Sequence, residues 1–201
     1  MPIEIELKAW LDDHEQVKKR LFSLGRFARS FEKNDTYWLP TQNDNSGMSI
    51  PFSGLRVRRE RSTGSGDVEQ RAFMVTTKKK RIMGKIEVND EREFAVSSAD
   101  FFEDMLCDLG LSKAMQKKKS GWDWQIPTET KGRQPINVEI SMVNDLGWFL
   151  EIELFAKDDS EQSIEEGRGE LFSLLAKLEV PEEKIETRPY SVLLRDVWEP
   201  K

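Results

Sequence analysis

The sequence predicts an α+β fold, in which a closed, antiparallel, eight-stranded β-barrel carries helices on its outside, as a single domain over residues 1–201. Three observations lead to this prediction. Most of the chain alternates between polar and apolar residues with a period of two, which is typical of β-strands. The polar side of strand after strand carries Glu, Lys or Arg at every second position. A few amphipathic helical segments interrupt the strands and supply apolar faces that need a partner.

The predicted strands follow this alternation along the chain. In the first strand Ile3, Ile5 and Leu7 share one side, and charged residues share the other. The turn cluster STGSGD at residues 62–67 separates two further strands and predicts a hairpin between them. The predicted strands cover residues 3–10, 36–39, 55–61, 68–78, 86–96, 115–126, 137–143 and 148–155.

The predicted helices lie between strands and at the C-terminal end. They cover residues 13–24, a segment from Ser98 to just before Gly110, residues 160–179 and a short segment that starts at Pro189. The first helix also belongs to a pattern that occurs twice. Glu4-x-Glu6, a helix, Gly25 and Tyr37 are matched by Glu91-x-Glu93, a helix, Gly110 and Trp122. This spacing predicts a strand–helix–strand unit that is used twice.

Composition excludes several classes of protein and site. The net charge of −6 argues against general affinity for nucleic acid or for an anionic membrane. Cys107 is the only cysteine and His14 the only histidine, which excludes a Cys/His zinc site and an intrachain disulfide. No apolar run is long enough to span a membrane, and the acidic, alternating N-terminus is unlike a targeting peptide. We therefore expect a cytoplasmic protein that uses carboxylates, Lys, Arg, Tyr and a hard metal ion.

The charged faces of the strands are predicted to point inward. For any one strand, a solvated polar face is an equal alternative. If the apolar faces pack against the helices, however, the charged faces converge on a lumen that is wide enough for one small ligand. Clustered Arg and Lys suit phosphate oxygens, and paired carboxylates without His or Cys favour Mg²⁺ or Mn²⁺.

Several motifs resemble those of one family in the same order along the chain. Glu4-x-Glu6-x-Lys8 resembles the ExExK signature of the CYTH proteins, also called triphosphate tunnel metalloenzymes. That family includes class IV adenylate cyclases, thiamine triphosphatases and inorganic triphosphatases. Four further segments resemble motifs of the family: Asp35-Thr-Tyr37 resembles D-x-Y, residues 55–58 resemble LRxR, residues 146–153 resemble LGxFxEIE, and Arg188-Pro-Tyr190 resembles RxY. Lys78 stands where the family has a single lysine, and Lys117 and Lys119 stand where it has basic residues.

The resemblance implies a role for each matched residue. The implied metal ligands are Glu4, Glu6, Glu151 and Glu153. The residues implied to bind the triphosphate are Lys8, Arg56, Arg58, Lys78, Lys117 and Lys119. Tyr37 and Lys78 are the implied catalytic pair, which orients or deprotonates a water. A lysine close to other cations has a lowered pKa and can act as a base, which agrees with this role.

The chain departs from the family pattern at three places. Ser141 stands where the family usually has an aspartate, and Glu139 on the same strand face is the candidate replacement as a metal ligand. Glu91 stands where an arginine is frequent. Lys119 also replaces a more common arginine, and a lysine grips phosphate less specifically than the arginine fork does.

The function that the resemblance implies is hydrolysis of a triphosphate (inorganic, thiamine-linked or nucleoside) with Mg²⁺ or Mn²⁺, by a monomer or a homodimer. The alternative is a class IV adenylate cyclase that forms cyclic AMP and pyrophosphate from ATP. The chain lacks the His-Phe pair that some cyclases carry shortly before ExExK, which favours hydrolysis. A further alternative is a polyphosphate- or nucleotide-binding module without catalysis, which the missing aspartate motivates.

Overall fold

A computed structural model describes residues 3–41, 54–128 and 133–199, and in it eight antiparallel strands close into a barrel. This confirms the predicted fold class. The strands are β1 (Ile3–Trp10), β2 (Arg26–Pro40), β3 (Leu55–Gly64), β4 (Glu69–Met83), β5 (Ile86–Ala95), β6 (Leu111–Ile126), β7 (Ile136–Val143) and β8 (Gly147–Ala156). Around the barrel the order is β1, β5, β4, β3, β2, β6, β7 and β8, which pairs again with β1.

Four α-helices and one short 3₁₀-helix lie among the described residues. They are α1 (His14–Leu24), α2 (Ala99–Asp108), α3 (Glu161–Lys177), the 3₁₀-helix Glu182–Lys184, and α4 (Tyr190–Trp198). The side chains of Asp13, Ser98 and Ser160 accept hydrogen bonds from backbone N–H groups in the first turns of α1, α2 and α3. None of the described helices is long and apolar enough to cross a membrane.

The strand order contains an internal two-fold repeat. Strand β1, helix α1 and strands β2 to β4 form one unit, and β5, α2 and β6 to β8 form the other. Exchanging the two units leaves the order of strands around the barrel unchanged, with β1 beside β5 and β2 beside β6. The predicted duplication is therefore present in the topology. It does not extend to Tyr37 and Trp122, because Tyr37 lines the lumen whereas Trp122 packs against the outer core.

The apolar core lies outside the barrel wall, between the strands and the helices. The outward faces of β1 and β8 bury Ile5, Leu7 and Ile152, and α3 covers them with Leu171 and Leu175. Burying an aliphatic side chain of this size contributes about 1.5–3 kcal/mol, so this layer stabilises the barrel without filling its lumen.

Gly167 explains why α3 tolerates a glycine in its interior. A Cβ at this position would lie 2.8 Å from Cδ1 of Ile5 and 3.0 Å from Cδ1 of Leu154. The absent side chain lets the helix approach the barrel closely, which offsets the low helix propensity of glycine.

Two strands begin earlier than the sequence predicts. Strand β2 begins at Arg26 rather than Thr36, and β6 begins at Leu111 rather than Met115. Neither extension has apolar residues at every second position on one side, so the alternation that reveals a half-buried strand is missing. The two extended strands pair with each other along most of their length.

Candidate active site

The lumen encloses a cavity of about 890 Å³. All twelve residues that the sequence predicts for the site line this one cavity, on seven of the eight strands. They are Glu4, Glu6, Lys8, Tyr37, Arg56, Arg58, Lys78, Lys117, Lys119, Glu139, Glu151 and Glu153. The predicted inward orientation of the charged strand faces is therefore confirmed.

Opposite sides of the lumen carry opposite charge. The neighbouring strands β8, β1 and β5 form an acidic wall, and the neighbouring strands β3, β2 and β6 form a basic wall. The carboxylates of the acidic wall are Glu4, Glu6, Glu87, Glu91, Glu93, Glu151 and Glu153. The cations of the basic wall are Arg29, Lys33, Arg56, Arg58, Lys117 and Lys119. Strands β4 and β7 lie between the walls.

Lys78 reaches from β4 into the acidic wall. Its Nζ lies 2.6 Å from Oε1 of Glu4, 3.1 Å from Oε2 of Glu6 and 3.2 Å from Oε2 of Glu91. Burial alone would lower the pKa of Lys78. The attraction of three carboxylates, those of Glu6, Glu4 and Glu91, outweighs burial and raises this pKa well above the ordinary lysine value. The predicted lowering of this pKa is therefore wrong, because the nearest charges are acids. Lys78 is a fixed positive charge here.

Two carboxylates of the acidic wall hold their protons to unusually high pH. Burial, with repulsion from Glu6 and Glu91, raises the pKa of Glu4 to about 7 against the attraction of Lys78. Burial, with repulsion from Glu4 and Glu6, raises the pKa of Glu153 to about 8. Around these two carboxylates the negative charge exceeds what the neighbouring cations compensate, whereas Lys78 lowers the pKa of Glu6 and Lys119 lowers that of Glu151 on the same wall.

On the basic wall, positive charge is in excess around the carboxylate of Asp35. Arg58 donates to this carboxylate through Nε at 2.7 Å and Nη2 at 3.0 Å, and Nζ of Lys117 lies 3.2 Å from Oδ2. Although burial alone would raise the pKa of Asp35, Arg58 and Lys117 hold it well below its usual range. One buried carboxylate therefore fixes two of the predicted triphosphate-binding cations.

Glu139 lies between two lysines. Nζ of Lys33 donates to its Oε2 at 2.5 Å, and Lys119 forms an ion pair with its other oxygen and with Glu151. This arrangement supports a role for Glu139 in holding Lys33 and Lys119. Its predicted role as a metal ligand stays a prediction. Ser141 is fully buried, and its hydroxyl has no hydrogen-bond partner among the described residues.

The terminal RxY motif closes one side of the site. Lys8 donates a 2.7 Å hydrogen bond to the carbonyl of Arg188, and its Nζ lies 4.5 Å from the ring centroid of Tyr190. Nζ of Lys117 lies 4.6 Å from the same centroid. The ring also packs edge-on against Phe149, with a centroid separation of 5.0 Å. Helix α4 thus presents an aromatic face to cations from both walls.

Sequence reasoning missed several charged residues that line the lumen, among them Lys80, Glu87 and Lys33. Lys80 forms an ion pair with Glu87, and Lys33 forms the pair with Glu139. The period of two contained the necessary signal, since Lys80 is two positions from Lys78 and Lys33 is two positions from Asp35. For Lys33 the signal was obscured because the beginning of β2 shows no apolar side.

A model of the CYTH domain matches residues 2–190 of the chain. The chain belongs to the CYTH family. Members of this family are triphosphatases or adenylate cyclases that act on triphosphates with divalent metals. No curated protein sequence matches the chain.

Solved structures share the fold of this CYTH protein at low sequence identity. PH1819 from Pyrococcus horikoshii OT3 has a TM-score of 0.72 and 23% identity, over 96% of this chain and 98% of its own. A candidate adenylate cyclase from Vibrio parahaemolyticus has a TM-score of 0.66 and 15% identity, over 96% and 97%. HpAC1 from Hippeastrum, whose structure is described with a dominant triphosphatase activity, has a TM-score of 0.63 and 12% identity, over 100% and 98%.

The acidic wall fits the divalent metal of a CYTH protein by its chemistry. Its donors are all carboxylate oxygens, the ligands that Mg²⁺ and Mn²⁺ prefer. The raised pKa values of Glu4 and Glu153 show that a further positive charge would be favourable there. Among the described residues no three acidic, His or Cys side chains are already arranged to hold a metal ion, and Lys78 stands between several of the carboxylates.

Proposed function

We propose that this CYTH protein is a triphosphatase that hydrolyses a triphosphate within the barrel lumen with the help of Mg²⁺ or Mn²⁺. The observation that carries the proposal is the separation of charge across one cavity, with under-compensated carboxylates on one wall and clustered Arg and Lys on the other. A metal–triphosphate complex carries both signs of charge and can satisfy both walls at once.

The basic wall would hold the phosphate oxygens. Arg56 and Arg58 provide guanidinium forks from β3, and Lys117 and Lys119 provide point charges from β6. Asp35 already fixes Arg58 and Lys117, so little reorganisation is needed when the anion enters. Such preorganised cations stabilise the charge that spreads over the phosphoryl oxygens during transfer.

The acidic wall would hold the metal through Glu4, Glu6 and Glu153, with Glu151 at its edge. A bound divalent ion polarises the phosphoryl group and lowers the pKa of water. Lys78 would contribute charge rather than act as a base, because its neighbouring carboxylates keep it protonated. Tyr37 lines the same cavity, beneath Lys117, and we assign it to positioning the water or the substrate.

Product analysis tests the proposal directly. The purified protein is incubated with Mg²⁺ or Mn²⁺ and with tripolyphosphate, thiamine triphosphate or ATP. Release of orthophosphate supports the triphosphatase. Cyclic AMP with pyrophosphate from ATP would instead identify an adenylate cyclase, and tight binding without any product would identify a non-catalytic binding module. Absence of both binding and product would refute all three functions.

A further inference from the structure

Glu91 engages two of the cations that are proposed to bind the triphosphate. Its Oε2 lies 3.2 Å from Nζ of Lys78, and its Oε1 lies 3.3 Å from Nη2 of Arg56. The carboxylate therefore bridges a lysine and an arginine from two different strands, with one oxygen on each. A phosphate group that enters the lumen would use the same two donors in the same way.

The strand pairing places Glu91 in this position. Strand β5 pairs with β4 so that Glu91 lies directly opposite Lys78. Strand β4 pairs with β3 so that Arg56 lies opposite Thr76, one inward position from Lys78. The side chain of Glu91 is only 19% exposed and lines the cavity. The contacts are thus a consequence of the register and of a partly buried position, where charge pairs are screened less than at the surface.

We propose that Glu91 is a resident substitute for a substrate phosphate, which positions Lys78 and Arg56 in the ligand-free lumen and must be displaced when the triphosphate binds. The inference rests on the proposed function and adds a positioning residue to it. Separating Glu91 from two cations costs free energy that the incoming anion has to offset. Glu91 therefore weakens the intrinsic affinity of the site for triphosphate.

Both cations keep other partners when Glu91 is neutralised. Lys78 retains Glu4 at 2.6 Å and Glu6 at 3.1 Å. Arg56 retains the hydroxyl of Thr76 at 2.9 Å and Glu93 at 3.4 Å. Glu91→Gln leaves no buried charge without a partner, so we expect the variant to fold as the wild type does.

The test is calorimetric titration of tripolyphosphate into the wild-type protein and Glu91→Gln, in EDTA so that no turnover occurs. We expect Glu91→Gln to bind about tenfold more tightly, since one repelling carboxylate and two competing ion pairs are removed. Glu91→Arg should bind at least as tightly as Glu91→Gln. The matched control is Asp90→Asn, which removes the same charge from the adjacent, outward-facing position that pairs with Arg92. It should change the affinity by less than about twofold.

Kinetic measurements with Mg²⁺ distinguish this role of Glu91 from a purely structural one. Glu91→Gln should lower KM without raising kcat, because Glu91 competes with the substrate for Lys78 and Arg56 in the free enzyme only. If the wild type binds tripolyphosphate and Glu91→Gln binds it no more tightly, the inference is overturned while the proposed function stands. A loss of Mg²⁺ binding in Glu91→Gln would also overturn it, since Glu91 would then be a metal ligand. If neither protein binds tripolyphosphate in EDTA but both turn it over with Mg²⁺, an unchanged KM in Glu91→Gln overturns the inference alone. If neither protein binds tripolyphosphate in EDTA and neither turns over any of the three triphosphates with Mg²⁺ or Mn²⁺, the proposed function fails and the inference fails with it.

Discussion

The two walls of the lumen differ in how well each compensates its own charge. On the acidic wall, Glu4 and Glu153 have pKa values raised to about 7 and about 8. On the basic wall, Asp35 has a pKa held well below its usual range, because Arg58 and Lys117 both contact it. Burial acts in the same direction on all three carboxylates, so the difference comes from their charged neighbours.

This difference shows which ligand the lumen can accept. A simple anion would be attracted to the basic wall and repelled by the acidic wall. A metal ion alone would be attracted to the acidic wall and repelled by the basic wall. Two lysines soften the contrast, since Lys78 from the intermediate strand β4 turns toward the acidic wall and Lys119 from the basic wall pairs with Glu151. A ligand that joins a cation to a polyanion satisfies both walls and frees these lysines for the anion.

The largest expected effect comes from removing charge from the acidic wall. Glu4→Gln combined with Glu6→Gln should lower metal-dependent turnover of triphosphate by about 1,000-fold or more, because two carboxylate ligands are lost. The barrel should stay folded, since Lys78 keeps Glu91 at 3.2 Å when both side chains are neutralised. Orthophosphate release and circular dichroism measure the two quantities. Glu32→Gln, on the exposed side of β2, is the control. Undiminished turnover in the double variant would place Glu4 and Glu6 outside the site.

The acidic wall should also make the metal-free protein less stable as the pH rises. The pKa of glutamate is near 4.5 when unfolded, whereas Glu4 and Glu153 titrate near 7 and 8 in the native state. Between these values the native state holds protons that the unfolded state has released, so the free energy of unfolding falls as the pH increases through this window. From pH 6.5 to 8.5 we expect a loss on the order of 3 kcal/mol, measured by urea denaturation in EDTA.

Two further measurements sharpen this pH prediction. Glu153→Gln should flatten the profile, because the variant lacks the group with the higher of the two pKa values. Mg²⁺ at pH 8.5 should restore stability to the wild type, since an ion that binds only the native state favours it by mass action. A wild-type profile that is flat in EDTA, or one that rises with pH, would contradict the imbalance between the walls.

The sequence was sufficient to predict the architecture because the signal is local. A period of two with charges on one side marks a strand and its two faces, and the order of ExExK, LRxR and LGxFxEIE places those faces in one lumen. The same period selects the inward lysine of each basic run. Lys78 lines the cavity while the following Lys79 is exposed, and Lys119 is buried while Lys118 is exposed.

Sequence reasoning could not predict the ion pairs, which depend on contacts between distant residues. Lys33 and Glu139 are 106 positions apart and lie on strands that do not adjoin. The pKa of Lys78 was predicted in the wrong direction for the same reason. Its run contains only cations, whereas the carboxylates that raise its pKa come from β1 and β5. The sign of such a shift follows from the closed barrel and not from neighbours in the sequence.

The smallest of the three effects is expected on the basic wall. Arg56→Ala should weaken binding of tripolyphosphate by roughly 2–3 kcal/mol, the scale of a charge-assisted hydrogen bond lost in a buried site. The loss is smaller than on the acidic wall because Arg58, Lys117 and Lys119 remain to hold the anion. Arg61→Ala is the matched control on the same strand, since Arg61 is exposed and pairs with Glu32 on the outside. If both variants bind the anion equally well by calorimetry, the inward side of β3 does not contact the triphosphate.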